Sequence, residues 1–388
     1  MFGKAKNAES RLSPAAKYLQ WAAQPTTLAE VMDINTLLQQ AAFQNFYRWA
    51  MTSQENGRKA LEQAAGALKQ MDVLQSALAA HLCGALIEQW GAQEQAGRKI
   101  VEAFAENVQK TCAFLAEAET LLACPEGALD AEKLKEAEMA DLFSQMPDGV
   151  RAYWGSDLMT LAVMAVITRD QRARQYLREL DIYPHIQYVG QFRDNLQYVA
   201  EVYQACAQLP LTILSPKTLH GLRVEANDLS NCFHFFTLLE AELYRQGLLE
   251  DWAIAGYAWR ETIYQIAIGA QYPQKQDSIS ACQQYYTVHA VEPDGSYRVT
   301  KETEQGVQMD PQTLVWGEMP LEAIPLFEGE RVVIVDQEGM FAGRSWDVAF
   351  VAKCHDALNP SLRITEVLTE AECRQLWASI KQRQRQNQ

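Results

Sequence analysis

The residues of this chain best placed to do chemistry are Cys232, His234, Glu240 and Glu242, followed by Arg260 and Glu261. An imidazole and a carboxylate held together can share a proton or ligate a metal. Both groups lie in helical text joined by a short connection near Gly247, so antiparallel packing of two helices would bring His234 towards Glu261. His234, Glu240, Arg260 and Glu261 are therefore the candidate catalytic residues. The competing expectation for His234 comes from its setting, Cys-Phe-His-Phe-Phe, where an amphipathic histidine is normally buried with its hydrogen bond satisfied.

Other groupings are weaker. His81 and Glu88 share a helical face at a spacing two metal ligands can use, but no further ligands accompany them, so no metal site is expected. Arg169, Arg172, Arg174 and Arg178 gather on one segment and could hold a phosphate or carboxylate. Asp170, four residues before Arg174, instead favours a solvated, internally paired helix face. Cys354 and His355 are consecutive, and in a strand consecutive side chains point to opposite faces, so they cannot readily act as nucleophile and base. Trp252, Tyr257 and Trp259 are spaced so that they occupy more than one helical face, which makes them the candidate binding residues beside the neighbouring Tyr264. No glycine-rich phosphate loop, zinc-protease helix, nucleophile elbow or calcium loop occurs, and no cofactor is expected.

The elements that must carry these residues change character along the chain. No proline occurs between Pro25 and Pro125, whereas six occur from Pro273 onward. The first stretch therefore favours long helices. Ser13 before Pro14 starts a short helix through Trp21. Val31, Ile34, Leu38, Ala42, Phe46 and Trp49 stripe a helix over 27–51, and Ser53 to Gly57 is a turn. Leu74 to Trp90 and Val101 to Leu122 stripe two more, and three antiparallel helices are the simplest packing. Further helices are expected over 130–145, 154–179, 188–208, from Ser215-Pro216 to Tyr244, and over 252–270.

Beyond Pro273, Tyr285 to Val291 and Ser296 to Thr300 flank Glu292-Pro293-Asp294-Gly295, the composition of a tight hairpin turn. Strands are expected at 331–336 and 346–352. Thr369 with Glu372 forms a capping box for a last helix. The expected fold is mainly α, a bundle-like multi-helix N-terminal body with a small C-terminal α+β module containing antiparallel hairpins. The expected divisions are 1–127, a helical bundle, 128–272, a second helical region, and 273–388, the α+β module.

The formal net charge is −15, and residues 101–150 alone hold 11 acids against three bases. That balance argues against nucleic acid, whose recognition needs a basic footprint, and against an anionic membrane surface. The most apolar stretch, Leu158 to Ile167, is half the length of a membrane span, which takes about 20 residues. The eight cysteines are scattered with no C-x-x-C pair, and Met1 to Arg11 lacks the apolar core of a secretory signal, so reduced thiols and a cytoplasmic location are expected. The function these features point to is non-catalytic protein binding, as an adaptor or an inhibitor of a basic partner such as a toxin. The alternatives are an enzyme centred on His234 and Glu261, and a helical scaffold that self-associates into a homo-oligomer through its first three helices.

Overall fold

The computed structural model describes residues 12–125, 129–130, 133–249, 252, 261–271, 279–280, 287–297, 300–303, 306–309, 315, 317–336, 345–346 and 355–387. The chain is mainly α with an α+β C-terminal module. It divides into two compact units, Met1–Tyr203 and Gln204–Gln388.

The first unit is helical. It contains α1 (Pro14–Ala22), α2 (Leu28–Met32), α3 (Asn35–Leu38), α4 (Ala41–Ala50), α5 (Gln54–Ala67), a 3₁₀ turn (Leu68–Gln70), α6 (Val73–Trp90), α7 (Glu94–Leu121), α8 (Glu136–Gln145), α9 (Pro147–Ile167), α10 (Gln171–Glu179), α11 (Tyr183–Val189) and most of α12 (Asn195–Gln204). Ser13 caps α1 with Pro14 at its first position, as its sequence predicts. The stripe over 27–51 is broken into three short helices, because Asp33 and Gln40 leave helical geometry at the ends of α2 and before α4. Ser53 is a helix cap rather than part of a turn, its Oγ accepting from the Asn56 backbone N–H at 3.2 Å.

The three long helices pack differently from a simple antiparallel trio. Helix α9 lies between α6 and α7. A Cβ on Gly155 would fall 2.8 Å from the Cβ of Ala77, and one on Gly84 would fall 2.9 Å from the Cα of Ala162. Ala77 and Gly84 are seven residues apart, as are Gly155 and Ala162, so α6 and α9 run parallel along a seam of small residues. Against α7 the order reverses: Gly97 meets Val166 and Gly149 meets Phe114, so α7 is antiparallel to α9. Helix α9 is long and apolar enough to cross a membrane by length and composition, but most of it is buried inside this unit as a core helix.

A buried ion pair fixes the starts of α6 and α9. Asp72 caps α6, accepting from the Leu74 backbone N–H at 3.0 Å and from Thr26 Oγ1 at 2.9 Å. Arg151 Nε lies 3.1 Å from the same carboxylate, and its Nη2 donates to the Thr26 carbonyl at 2.6 Å. Buried charges persist when they are paired and hydrogen-bonded in this way.

The second unit is built on a five-stranded mixed sheet. Its strands are β1 (Leu209–Ser215), β2 (His220–Asn227), β4 (Thr287–Ala290), β7 (Val332–Asp336) and β9 (Ser361–Leu368), in the order β4-β7-β1-β2-β9. Strand β1 is antiparallel to β2 and parallel to β7. Two small ribbons pair β3 (Ile279–Ser280) with β8 (Ser345–Trp346) and β5 (Thr300–Thr303) with β6 (Gly306–Met309). Helices α13 (Cys232–Arg245), α14 (Glu261–Ala267) and α15 (Glu370–Gln386) complete it.

Alternation places Leu211, Ile213, Leu222, Val224, Val333 and Val335 in one core with α13, and Leu214, Val332 and Ile334 in another with Cys373 and Ile380 of α15. Strand β7 reads Val-Val-Ile-Val because both of its faces are covered.

The long helix expected from Ser215-Pro216 to Tyr244 does not form. In its place stand β1, a turn closed by the Leu219 N–H to the Ser215 carbonyl at 2.9 Å, β2, and only then α13. A proline φ suits position i+1 of a turn as well as the first position of a helix. The turn at 292–295 is present, with Gly295 at φ +83° and the Glu292 N–H donating to the Ser296 carbonyl at 2.8 Å. Strand β4 before it pairs with β7, while parts of both arms expected to flank the turn, residues 285–286 and 298–299, lie outside the described residues.

Candidate functional site

Helix α13 carries the titratable candidates. Asn231 caps it, its Oδ1 accepting from the His234 backbone N–H at 2.9 Å. Its residues from Cys232 to Ala241 are all buried, since the helix packs against the sheet on one side and α14 on another. His234 Nε2 lies 2.6 Å from the Ala267 carbonyl oxygen. A carbonyl only accepts, so this nitrogen carries the proton. Ala267 is the last residue of α14, where helix carbonyls lack intrahelical donors, so the imidazole satisfies the end of one helix from the start of another.

Burial pushes the His234 pKa down to about 4, against the opposing pull of the Ala267 carbonyl. At neutral pH the ring is neutral. Glu240, two turns further along α13, is 2% exposed. Burial raises its carboxyl to about 8, so it is a protonated acid at neutral pH, and its Oε1 has no hydrogen-bond partner among the described residues.

Glu261 is not brought to this pair. It is exposed at the start of α14, accepts from Gln265 Nε2 at 2.5 Å, and sits at the opposite end of that helix from Ala267. The two helices do pack, with Arg245 of α13 placed 3.5 Å over the ring of Tyr264. Glu242 is engaged with that same Arg245 at 3.3 Å. Trp252 is buried in the core beside His220, so its indole contributes packing. Arg260, Tyr257 and Trp259 lie outside the described residues, as do Cys282 and Cys354. A protonated Glu240 and a neutral His234 can donate or accept one proton each, but both are closed off from solvent.

The remaining groupings are spent on local pairs. Glu88 is ion-paired with Arg169 across helices, and His81 is half-buried with its pKa lowered by burial. Among the described residues no group of histidine, cysteine and acidic side chains could hold a metal ion. The four arginines of 169–178 diverge: Arg172 meets Glu94 at 3.4 Å, Arg174 is buried with Nε donating to the Ile167 carbonyl at 3.0 Å, and Arg178 Nε donates to the Tyr203 carbonyl at 2.7 Å. Asp170 caps α10.

A groove of about 450 Å³ runs between the starts of α7 and α10 beside Arg98 and Arg172, yet Glu94, Asp170 and Glu179 line it too. Tyr176 holds Arg98 over its ring at 4.1 Å and donates to Glu102 at 3.0 Å. With each guanidinium facing a carboxylate or a ring, this groove does not present the uncompensated positive charge that binds phosphate. The six described cysteines are free thiols, and burial raises Cys83 to about 12 and Cys232 further, which keeps both protonated and unreactive.

The distribution of surface charge is the feature that reading single residues missed. In 101–150 each of the three bases is already held: Lys110 by Glu106 at 2.7 Å, Lys133 by Asp130 at 2.6 Å and Lys135 by Glu138 at 3.8 Å. Glu117 on α7 and Glu136 and Asp141 on α8 are exposed and make no ion pair among the described residues. Composition pointed to the acid excess, and only the pairing shows where it is left uncompensated. No protein-family model matches the chain, and no match was found among curated proteins or solved structures.

Proposed function

We propose that the protein acts by binding a basic protein partner, as an adaptor or an inhibitor, through the acidic surface of its helical unit. The observation that carries this reading is the pairing of every base in 101–150 with a neighbouring carboxylate, which leaves Glu117, Glu136 and Asp141 facing solvent. Unscreened carboxylates raise the local concentration of a positively charged partner and repel acidic ones. The burial of His234 and Glu240 favours this reading over an enzyme centred on them, because a substrate must reach the groups that act on it. Six free thiols suit a reducing, cytoplasmic setting. The test compares capture of basic proteins by the full chain and by a variant carrying Glu117→Lys, Glu136→Lys and Asp141→Lys, at low and at high salt.

A further inference from the structure

Strand β9 is an open edge of the five-stranded sheet. At the opposite edge the Val315 N–H donates to the Val288 carbonyl of β4 at 3.0 Å, whereas β9 pairs with β2 alone. The Arg223 carbonyl of β2 faces β9, since it accepts from Thr365 Oγ1 at 3.0 Å. Thr212, opposite Arg223 on β1, accordingly turns its N–H the other way, to the Arg331 carbonyl at 2.8 Å. Glu225, two residues on, faces β9 as Arg223 does. Their partners Glu366 and Arg363 therefore direct their backbone groups towards β2, and the neighbouring Leu362, Ile364 and Val367 direct theirs outward. Those outward groups have no hydrogen-bond partner among the described residues. Such an edge is a template for another strand.

The side chains say which strand fits. Thr365 has no opposite residue, and this bulge puts Arg363 and Glu366 on one face, opposite Glu225 and Arg223. Arg363 lies 3.4 Å from Glu225 and Glu366 2.6 Å from Arg223, with all four side chains exposed. Leu362, Ile364 and Val367 share the other face, where the first two pack into the core with α13 and Val367 is 55% exposed. A second β9, antiparallel about a two-fold axis between Ile364 and Thr365, sets Arg363 opposite Glu366 of the second copy and Leu362 opposite its Val367. Face and hydrogen bonding then agree. Leu362 and Val367 both offer outward backbone groups, and Arg363 with Glu366 makes the closer, non-hydrogen-bonded kind of pair, its Cα atoms about 4.5 Å apart. Charges alternate across the joint, from Glu225 to Arg363 and on to Glu366 and Arg223 of the second copy, so no like charges are adjacent. A bulge ordinarily spoils an edge, but the axis sets the two bulges against each other and keeps the register on either side.

We propose that β9 is a self-pairing edge, which joins two copies of the chain into one continuous sheet with two-fold symmetry. The inference does not rest on the acidic surface of the helical unit. Sedimentation velocity of the full chain at rising concentration tests it, with circular dichroism showing each variant folded. The wild type is expected to pass from monomer to dimer. Arg363→Glu sets carboxylate against carboxylate at both ends of the joint, and Glu366→Arg sets guanidinium against guanidinium, so each variant alone is expected to stay monomeric. Mixed in equal amounts, the two restore opposite charges at both ends, and a dimer with one copy of each is expected. Val367→Pro removes an outward N–H while sparing the bonds to β2, is likewise expected to stay monomeric, and decides the matter if a charge variant misfolds. A wild type that is monomeric throughout, a dimer indifferent to these substitutions, or folded charge variants that mixing does not rescue overturns the inference.

Discussion

His234 joins two helices through one hydrogen bond, from Nε2 to the Ala267 carbonyl, and its removal should register as lost stability. His234→Ala leaves that carbonyl without its donor and a gap in the core, and is expected to cost about 1 to 3 kcal/mol. Chemical denaturation measures it, with metal content unchanged between variant and wild type. Glu240 and His234 also give the second unit a pH signature. The Glu240 carboxyl stays protonated up to about 8 in the folded chain but ionises near 4.5 when unfolded, so its contribution is lost as pH rises through that window. His234 stays neutral down to about 4 when folded but takes a proton near 6.5 when unfolded, so its contribution is lost as pH falls through its own window. Where the windows overlap the two oppose, and above 6.5 only Glu240 remains. Glu240→Gln, neutral at every pH, should therefore flatten the decline between about 6.5 and 8 and stabilise the chain by roughly 1 to 3 kcal/mol at alkaline pH, read from melting across pH. These behaviours were legible only in part: the Cys-Phe-His-Phe-Phe setting announces a buried histidine, but nothing local identifies Ala267 as its partner.

At the scale of elements, the parallel packing of α6 on α9 depends on residues too small to separate the backbones. Gly84→Val would drive a branched side chain into the Ala162 backbone, where even a Cβ lies 2.9 Å from Cα. The expected outcome is a loss of about 2 to 4 kcal/mol, measured by denaturant melting, with Gly91→Val, at a position with open space but a positive φ, as a comparison. Elements with local signals were readable from sequence. Ser13-Pro14 starts α1, and Thr369 with Glu372 closes a capping box at α15, the Thr369 N–H donating to Glu372 at 2.8 Å. The helix misread from Ser215-Pro216 to Tyr244 has a clear cause. Ser215-Pro216 fits a helix start and a turn equally, and the alternation of Leu209, Leu211 and Ile213 with Leu222, Val224 and Ala226 carried the deciding information. Strand β4 pairs with β7 more than forty residues later, Thr287 opposite Asp336, a partnership set by the sheet and by no turn between them.

For the whole molecule, the change in composition at Pro273 does not coincide with the change in packing, because β1 and β2 pair with β7 and β9 from beyond it. A chain cut near Pro273 keeps β1 and β2 but loses their neighbours, and should aggregate. One ending at Gln204 retains all of the helical unit and should melt cooperatively with helical circular dichroism. The acid excess was visible in composition alone, but its uncompensated part is defined only once Lys110, Lys133 and Lys135 are seen in their pairs.

The most direct test of the account is therefore the binding of basic proteins to the full chain beside the Glu117→Lys, Glu136→Lys, Asp141→Lys variant, with circular dichroism showing both folded. Acidic steering weakens over the Debye length of about 8 Å at physiological salt, so the account predicts retention by the wild type at low salt, marked loss at high salt, and loss in the variant at both. Equal retention of a partner by wild type and variant, insensitive to salt, would contradict it.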